Sequence, residues 1–303
     1  MSSIFQIFLN ILVPIFIITG AGYFLSHYIN LPSKPLSQVV FYLFTPCLIF
    51  NLLTKNDLQS NDIIKIILFS SVLILLIGSL TWIVGKLLRM EKGTLAATML
   101  ASMFMNAGNF GLPVVLFAFG KVALGFASLF FVTNAVLVNV IGVVIASMGK
   151  QSFVQAVKNL ARVPTVYALL VALFIMRSDW QIPLFLDRSI TLLADASIPT
   201  MLVLMGVQFK KTTWSGKALP ISLAAGFRLI LSPVLAIALT PLFGITGAGQ
   251  QASIIESAMP SAVLNTVIAT EFDAEPSMVS AVVFLTTILS PLTLTPLLAY
   301  LTT

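Results

Sequence analysis

"MFMNAGNFGLPVVLFAFG", residues 103–120, is apolar enough to lie in a bilayer. Yet Asn106, Gly108, Asn109, Gly111 and Pro113 stand within eight residues at its centre. Glycine weakens a helix, and proline lacks the N–H that the carbonyl four residues earlier would accept. In lipid an unbonded backbone group is costly, so a break persists only inside protein or beside a wet cavity. Read alone, the stretch fits a proline kink with packing glycines, both common in membrane helices. The rest of the chain decides between kink and break.

The chain as a whole is made for lipid. Of its 303 residues 58% are hydrophobic and 9% charged, and the mean hydropathy is +1.06. A soluble domain carries about 25% charged residues, so a polytopic membrane protein is expected. The net charge of +6 comes from basic residues standing singly between apolar runs. That is a topology signal rather than a nucleic-acid surface. The single cysteine, Cys47, excludes an internal disulfide and a cysteine metal cluster. One histidine with one cysteine supplies neither a nucleophile with its base nor a metal set, so no enzyme, metal or cofactor is expected. The first apolar run has no basic leader and no cleavage site, and reads as a retained span.

On the scale of about 20 residues per crossing, ten spans emerge: 4–26, 34–54, 62–88, 94–119, 123–148, 163–177, 184–208, 217–243, 247–270 and 276–301. The longest basic gap, residues 149–164, divides them five and five. The domains are then a first five-helix repeat (1–150), a short cytoplasmic linker (151–162) and a second repeat (163–303). With ten spans both termini share a side. That side holds Lys55, Lys65, Lys121, Arg177 and Arg188. The opposite side holds Lys34, Lys86, Arg89, Lys92, Lys150, Lys158, Arg162, Lys210, Lys211 and Lys217. Basic loops stay in the cytoplasm, so both termini are expected outside a plasma (bacterial inner) membrane.

The halves are related by pattern. Pro46 in "FTPCLIFNLL" and Pro199 in "SIPTMLVLMG" lie 153 residues apart, and the same offset carries Pro260 in "ESAMPSAVLNT" onto Ala107, inside the opening stretch. Five spans is an odd number, so the second half enters the membrane inverted. Inverted repeats with matching interruptions point to the binding site of a secondary transporter. A broken helix has a free N-terminus at mid-membrane, and its N–H groups and dipole favour an anion. Pro113 and Pro260 suit first-turn positions of the second half-helices. Gly108 and Gly111 open the backbone. Asn106, Asn109, Ser261 and Asn265 offer neutral donors and acceptors.

At these residues the chain resembles the auxin efflux carrier family, which takes in plant PIN-type carriers and bacterial organic-acid (malate or malonate) permeases. Asn106-x4-Gly111-x-Pro113 is similar to the plant "N-x4-G-I-P". Pro260, Glu271, Phe272 and Pro276 fit the family's "LP-x-G … F-x-x-x-E-Y-x-x-x-P" with Phe in place of Tyr, and Pro46, Leu48, Ile49 and Phe50 fit "P-x-L-I-F". The resemblance implies an all-α fold of ten helices in two inverted repeats, whose broken fourth and ninth helices cross. Spans one, two, six and seven would be a scaffold, often homodimeric, and the other six a transport unit moving by an elevator mechanism. It makes Asn106 a substrate-contacting amide. The plant carriers' long central loop is reduced here to about fifteen residues, which indicates a bacterial-type member and not auxin in particular.

The expected substrate is a small organic anion, held by Asn106, Gly108, Asn109, Gly111, Pro113, Pro46, Cys47, Met259, Pro260, Ser261 and Asn265. An ionisable residue inside a span is a functional candidate by default. Arg228 and Glu256 are placed to pair across helices, either as a buried structural pair or to couple a proton or sodium ion. Asp195 is a second coupling candidate. His27, Trp82, Trp180 and Trp214 read as interfacial residues, Cys47 as packing or a site for labelling, and Glu271, Asp273 and Glu275 as a solvated turn. A channel or a ligand-binding sensor on the same scaffold is the alternative function.

Overall fold

The computed structural model describes residues 4–29, 31–56, 58–148, 153–161, 163–178, 180–210 and 216–302. Lys150, Arg162, Lys211, Trp214 and parts of the 151–162 linker lie outside the described residues. Apart from one isolated bridge, the regular structure among the described residues is helical. The helices are α1 (Ile4–Tyr28), α2 (Ser33–Lys55), α3 (Ser60–Leu87), α4 (Lys92–Met103) and α5 (Ala107–Ala146), then the short α6 (Phe153–Leu160) and α7 (Pro164–Arg177). There follow α8 (Leu184–Phe209), α9 (Ala218–Leu239), α10 (Gly247–Ser257), α11 (Val263–Glu271) and α12 (Pro276–Thr302). Seven of these are long and apolar enough to cross a membrane. The chain is a multi-pass membrane protein.

Polarity is distributed inside out. Leu192 and Leu292 are 73% exposed, while Ser70, Thr81 and Thr98 are buried. Each of those hydroxyls donates to the carbonyl four residues back, at 2.7–2.8 Å. This local bond lets a polar side chain sit in an apolar helix without an orphaned group.

Prolines explain four of the five irregular turns among the described residues; the fifth, Val138–Gly142, is followed by no proline. Wider π turns occupy Phe8–Leu12, Val40–Phe44, Ala107–Gly111 and Phe227–Leu231. Pro14, Pro46, Pro113 and Pro233 each follow two residues later. The proline ring collides with the carbonyl of the preceding turn, and widening that turn relieves the collision without ending the helix. Pro46 is therefore no interruption, and Pro199 lies inside the continuous α8. The two prolines mark a packing point instead, where the Ser197 hydroxyl donates to the Phe44 carbonyl at 2.8 Å across 153 residues. Gly120, with φ 77° and ψ −167°, turns α5 between the regions read as the fourth and fifth spans.

Two sets of helices pack internally. In one, α1 lies on α8 and α2 lies on both α7 and α8. A Cβ at Gly206 would strike the Thr19 carbonyl, so α1 and α8 meet backbone to backbone, as small residues permit in membrane proteins. In the other set α3, α4, α5, α9, α10, α11 and α12 pack together, with α10 along α5.

Loop ion pairs refine the expected turn chemistry. Glu275 binds Lys217 at 2.5 Å, so the turn after α11 is tied down rather than merely solvated. Asp187 binds Lys55 at 3.0 Å. His27 bonds the Tyr23 carbonyl at the end of α1, and Trp82 and Trp180 are exposed.

Candidate functional site

The extended part of the opening stretch is Phe104–Met105–Asn106, ahead of its glycines. Helix α4 ends at Met103 and the chain re-enters a helix at Ala107. A matching gap separates Ser257 from Val263. The two gaps cross as an antiparallel bridge between Met105 and Ser261. The Asn106 N–H donates to the Pro260 carbonyl at 2.7 Å, and the Ala262 N–H to the Phe104 carbonyl at 3.0 Å. Each break thus satisfies the other's freed backbone groups, which is what burial in a membrane requires.

Side chains complete the crossing. The Asn265 amide donates to the Phe104 carbonyl at 2.8 Å and to the Ser261 hydroxyl at 3.0 Å. The Asn134 amide donates to the Met105 carbonyl at 3.2 Å. The Ser261 N–H reaches the Thr286 hydroxyl at 3.1 Å. The Asn106 side chain touches the sulfur of Met205 on α8 at 3.6 Å, joining the crossing to the other helix set. Asn134, Thr286 and Met205 were not expected from the sequence. The usable signal for Asn134 is an amide within an apolar span, since such residues bond across membrane helices.

The glycines have a different task from the one expected. Gly108 and Gly111 are helical; a Cβ at Gly108 would press on the Phe131 ring, and one at Gly111 would overlap the Glu256 carboxyl group. They make room and do not unwind the chain. Pro113 lies two residues past the π turn, whereas the helix itself restarts at Ala107. Pro260 sits in the extended gap, three residues before α11. The first-turn expectation is therefore corrected for both prolines. Met259 is buried in the same gap, and Asn109 is half-buried in the first turn of α5.

Arg228 and Glu256 do not pair; the ion pairs among the described residues involve neither. Arg228 is fully buried and donates to the carbonyls of Ser102 (2.8 Å), Met103 (3.0 Å) and Ser257 (2.6 Å), and to the Ser232 hydroxyl. Those carbonyls are the C-terminal ends of α4 and α10. A cation there meets both the unpaired carbonyls and the negative dipole ends. At the positive end of α5 the first amides, on Ala107, Gly108 and Asn109, precede any helical partner, whereas at the start of α11 the Asn265 N–H already donates to the Ala262 carbonyl at 3.0 Å. Glu256 is fully buried, and neither carboxyl oxygen has a hydrogen-bond partner.

The remaining candidates lie elsewhere. Asp195 faces a cavity of about 300 Å³ between the two helix sets, shared with Asn51, Lys55, Lys121 and Leu202. Its inner end at Leu202 is one turn of α8 from Met205, the residue Asn106 touches. Pro46 and Cys47 face an open apolar groove with Phe50, Tyr167 and Trp180, away from the crossing.

Comparison with known proteins gives a family and several relatives. A family described as "Membrane transport protein" matches residues 7–156 and 151–298. An "Uncharacterized transporter" of Methanocaldococcus jannaschii is 26% identical, covering 93% of this chain and 95% of its own length. A second, from Methanothermobacter thermautotrophicus, is 24% identical over 85% of each chain. A Rhizobium meliloti protein named "Putative malonate transporter" is 27% identical, covering 95% of this chain and 94% of its own.

Proposed function

The chain belongs to the membrane transport protein family, as its resemblance to the auxin efflux carriers implies, and from that premise we propose that it is a secondary carrier of a small organic anion. The observation that carries the proposal is the pair of mutually bonded breaks. The N-terminus of α5 lies beside them with its first amides ahead of any helical partner, where an anion is favoured. Asn106, Asn109, Ser261 and Asn265 surround that place, with Gly108, Gly111, Pro113, Met259 and Pro260 shaping it. The name of the Rhizobium meliloti relative supports a carboxylate.

In this reading the ten apolar segments are two inverted five-helix repeats, 1–150 and 163–303, joined by a short cytoplasmic linker. The set α1, α2, α7 and α8 is a scaffold, through which two copies of the chain associate. The other set carries the crossing and moves against it as an elevator. The cavity at Lys55, Lys121 and Asp195 is the approach from outside. Glu256 couples a proton or cation to transport, with Asp195 second, and Arg228 is a fixed brace. Three contacts between segments support the topology, since each joins residues assigned to one side of the membrane. They are Lys55 with Asp187, Lys65 with Gly244, and Lys217 with Glu275.

Reconstituted protein should concentrate labelled malonate or a related carboxylate in proteoliposomes under an imposed proton or sodium gradient. Asn106→Ala should raise KM with little change in the amount of folded protein. Flux without accumulation would make the protein a channel, and binding without flux a sensor.

A further inference from the structure

The cavity of about 300 Å³ between the helix sets has three charged residues in its wall, Lys55, Lys121 and Asp195. Lys55 is already answered. It binds Asp187 at 3.0 Å and donates to the Thr191 hydroxyl at 2.7 Å. Lys121 and Asp195 take part in no ion pair among the described residues, with each other or with any third group. One cation from α5 and one carboxylate from α8 therefore line the same space without a counter-ion.

Contacts at the end of α2 tie the two charges to one place. Lys121 follows the turn at Gly120 and stands one helical turn before Gly125, whose Cβ position is 3.0 Å from the Asn56 side-chain nitrogen. Asp195 stands one turn of α8 past Thr191, the residue that the Lys55 ammonium holds. Residues four apart on a helix have Cβ atoms about 5–6 Å apart, and Lys55 and Asn56 are neighbours in the chain. The rest of the wall is largely apolar, with Leu48, Leu52, Leu116 and Phe117 among its residues. Apolar walls with a few polar groups are the ordinary make-up of a small-molecule site, and this volume is at the lower end of the range. Asp195 also lies near the middle of α8, and an ionisable residue within a span that faces a wet cavity marks a ligand path.

The charge pattern selects the ligand. A plain carboxylate at Lys121 meets Asp195 as a like charge, and a plain ammonium at Asp195 meets Lys121 in the same way. A molecule carrying both signs satisfies both, with a charge-assisted hydrogen bond at each end. We propose that this cavity binds a zwitterionic α-amino acid with an apolar side chain. Its carboxylate lies at Lys121, its ammonium at Asp195 and its side chain against the leucines. This goes beyond the carrier reading and does not rest on it. Asp195 is two turns of α8 from Leu202 at the inner end of the cavity, so the site is separate from the crossing.

The test is a thermal melt of the full-length protein in detergent at constant pH and ionic strength. Alanine, valine and leucine are titrated beside 4-methylpentanoate and 3-methylbutylamine, which are leucine without its ammonium and without its carboxylate. At least one amino acid should raise the melting temperature saturably, by mass action, and neither half-molecule should do so at the same concentration. The rise should vanish in Asp195→Asn, and its midpoint should move several-fold higher in Lys121→Gln. Both side chains are exposed, so the variants are expected to fold. The double exchange Lys121→Asp with Asp195→Lys should regain the response and keeps the test open should a single variant melt early. The proposal is overturned by indifference of the native protein to all three amino acids, by an equal response to either half-molecule, or by a native-like response in both single variants. No carboxylate flux enters this test, so failure here leaves the carrier reading intact. Failed malonate uptake with an intact amino-acid response counts against the carrier reading alone.

Discussion

Gly111 has no side chain because the carboxyl group of Glu256 occupies the place where one would stand. Gly111→Ala should therefore lower the melting temperature, since the added methyl has to displace a buried group on a packed helix. On that background Glu256→Ala should recover part of the loss. The coupling should fall in the range of about 0.5–3 kcal/mol found for residues in contact, read from a double-mutant cycle of melts. Strict additivity would show that the contact is immaterial. In the sequence this glycine reads as an unwinding residue, because composition reveals weak helix formers and not what presses on them. Asn106, Ser261 and Asn265 stand out as polar residues in apolar runs, and all three do meet at the crossing. Asn134 bonds a bare carbonyl, and a backbone carbonyl has no sequence signature.

Four prolines among the described residues follow a widened turn, others such as Pro199, Pro291 and Pro296 sit in plain α-helix, and the helices break where a partner strand supplies the bonds. Pro46 and Pro113 look alike in sequence and both follow π turns, yet only the second lies near a break. The difference is the strand at Pro260–Ala262, which is remote in sequence. The broken ends also need their carbonyls filled, and one side chain serves α4 and α10 together. Arg228→Met should strand two buried carbonyls, those of Ser102 and Met103, each at about 1–3 kcal/mol, and lower the melting temperature sharply, while the Ser257 carbonyl keeps the Ser232 hydroxyl. Arg228→Lys should recover only part, because an ammonium does not reproduce the planar fork. Melts in detergent would measure both, and an unchanged melting point for the methionine variant would refute the bracing role.

The two helix sets touch along the cavity that leads to the crossing, and their relative motion is open to a direct check. Asn56, just past the end of α2, lies 3.0 Å from where a Cβ on Gly125 of α5 would stand. With Cys47→Ser removing the native thiol, Asn56→Cys and Gly125→Cys should form a disulfide, since the Asn56 Cγ, where the cysteine sulfur would stand, is 3.3 Å from that Cβ. Oxidation should stop uptake, reduction should restore it, and carboxylate binding should survive both. Uptake by the fully oxidised protein would exclude sliding of the sets at this point. That the long helices are apolar enough to cross a membrane is legible in the sequence, and which of them group together is not, because lipid-facing and buried residues are equally apolar.

The backbone contact of α1 with α8 also sets an order of events during synthesis. Lys210 at the end of α8 caps the Ser26 carbonyl at the end of α1, and these residues are 184 apart in the chain. At about 5–20 residues per second, the ribosome delivers α8 roughly 10–40 s after α1 has emerged. Through that interval Gly22 and its neighbours face lipid or an insertion factor instead of Val203 and Gly206. The earliest helix waits for one of the later ones, so a nascent chain stalled before residue 184 holds α1 in the membrane without the surface it was shaped to meet.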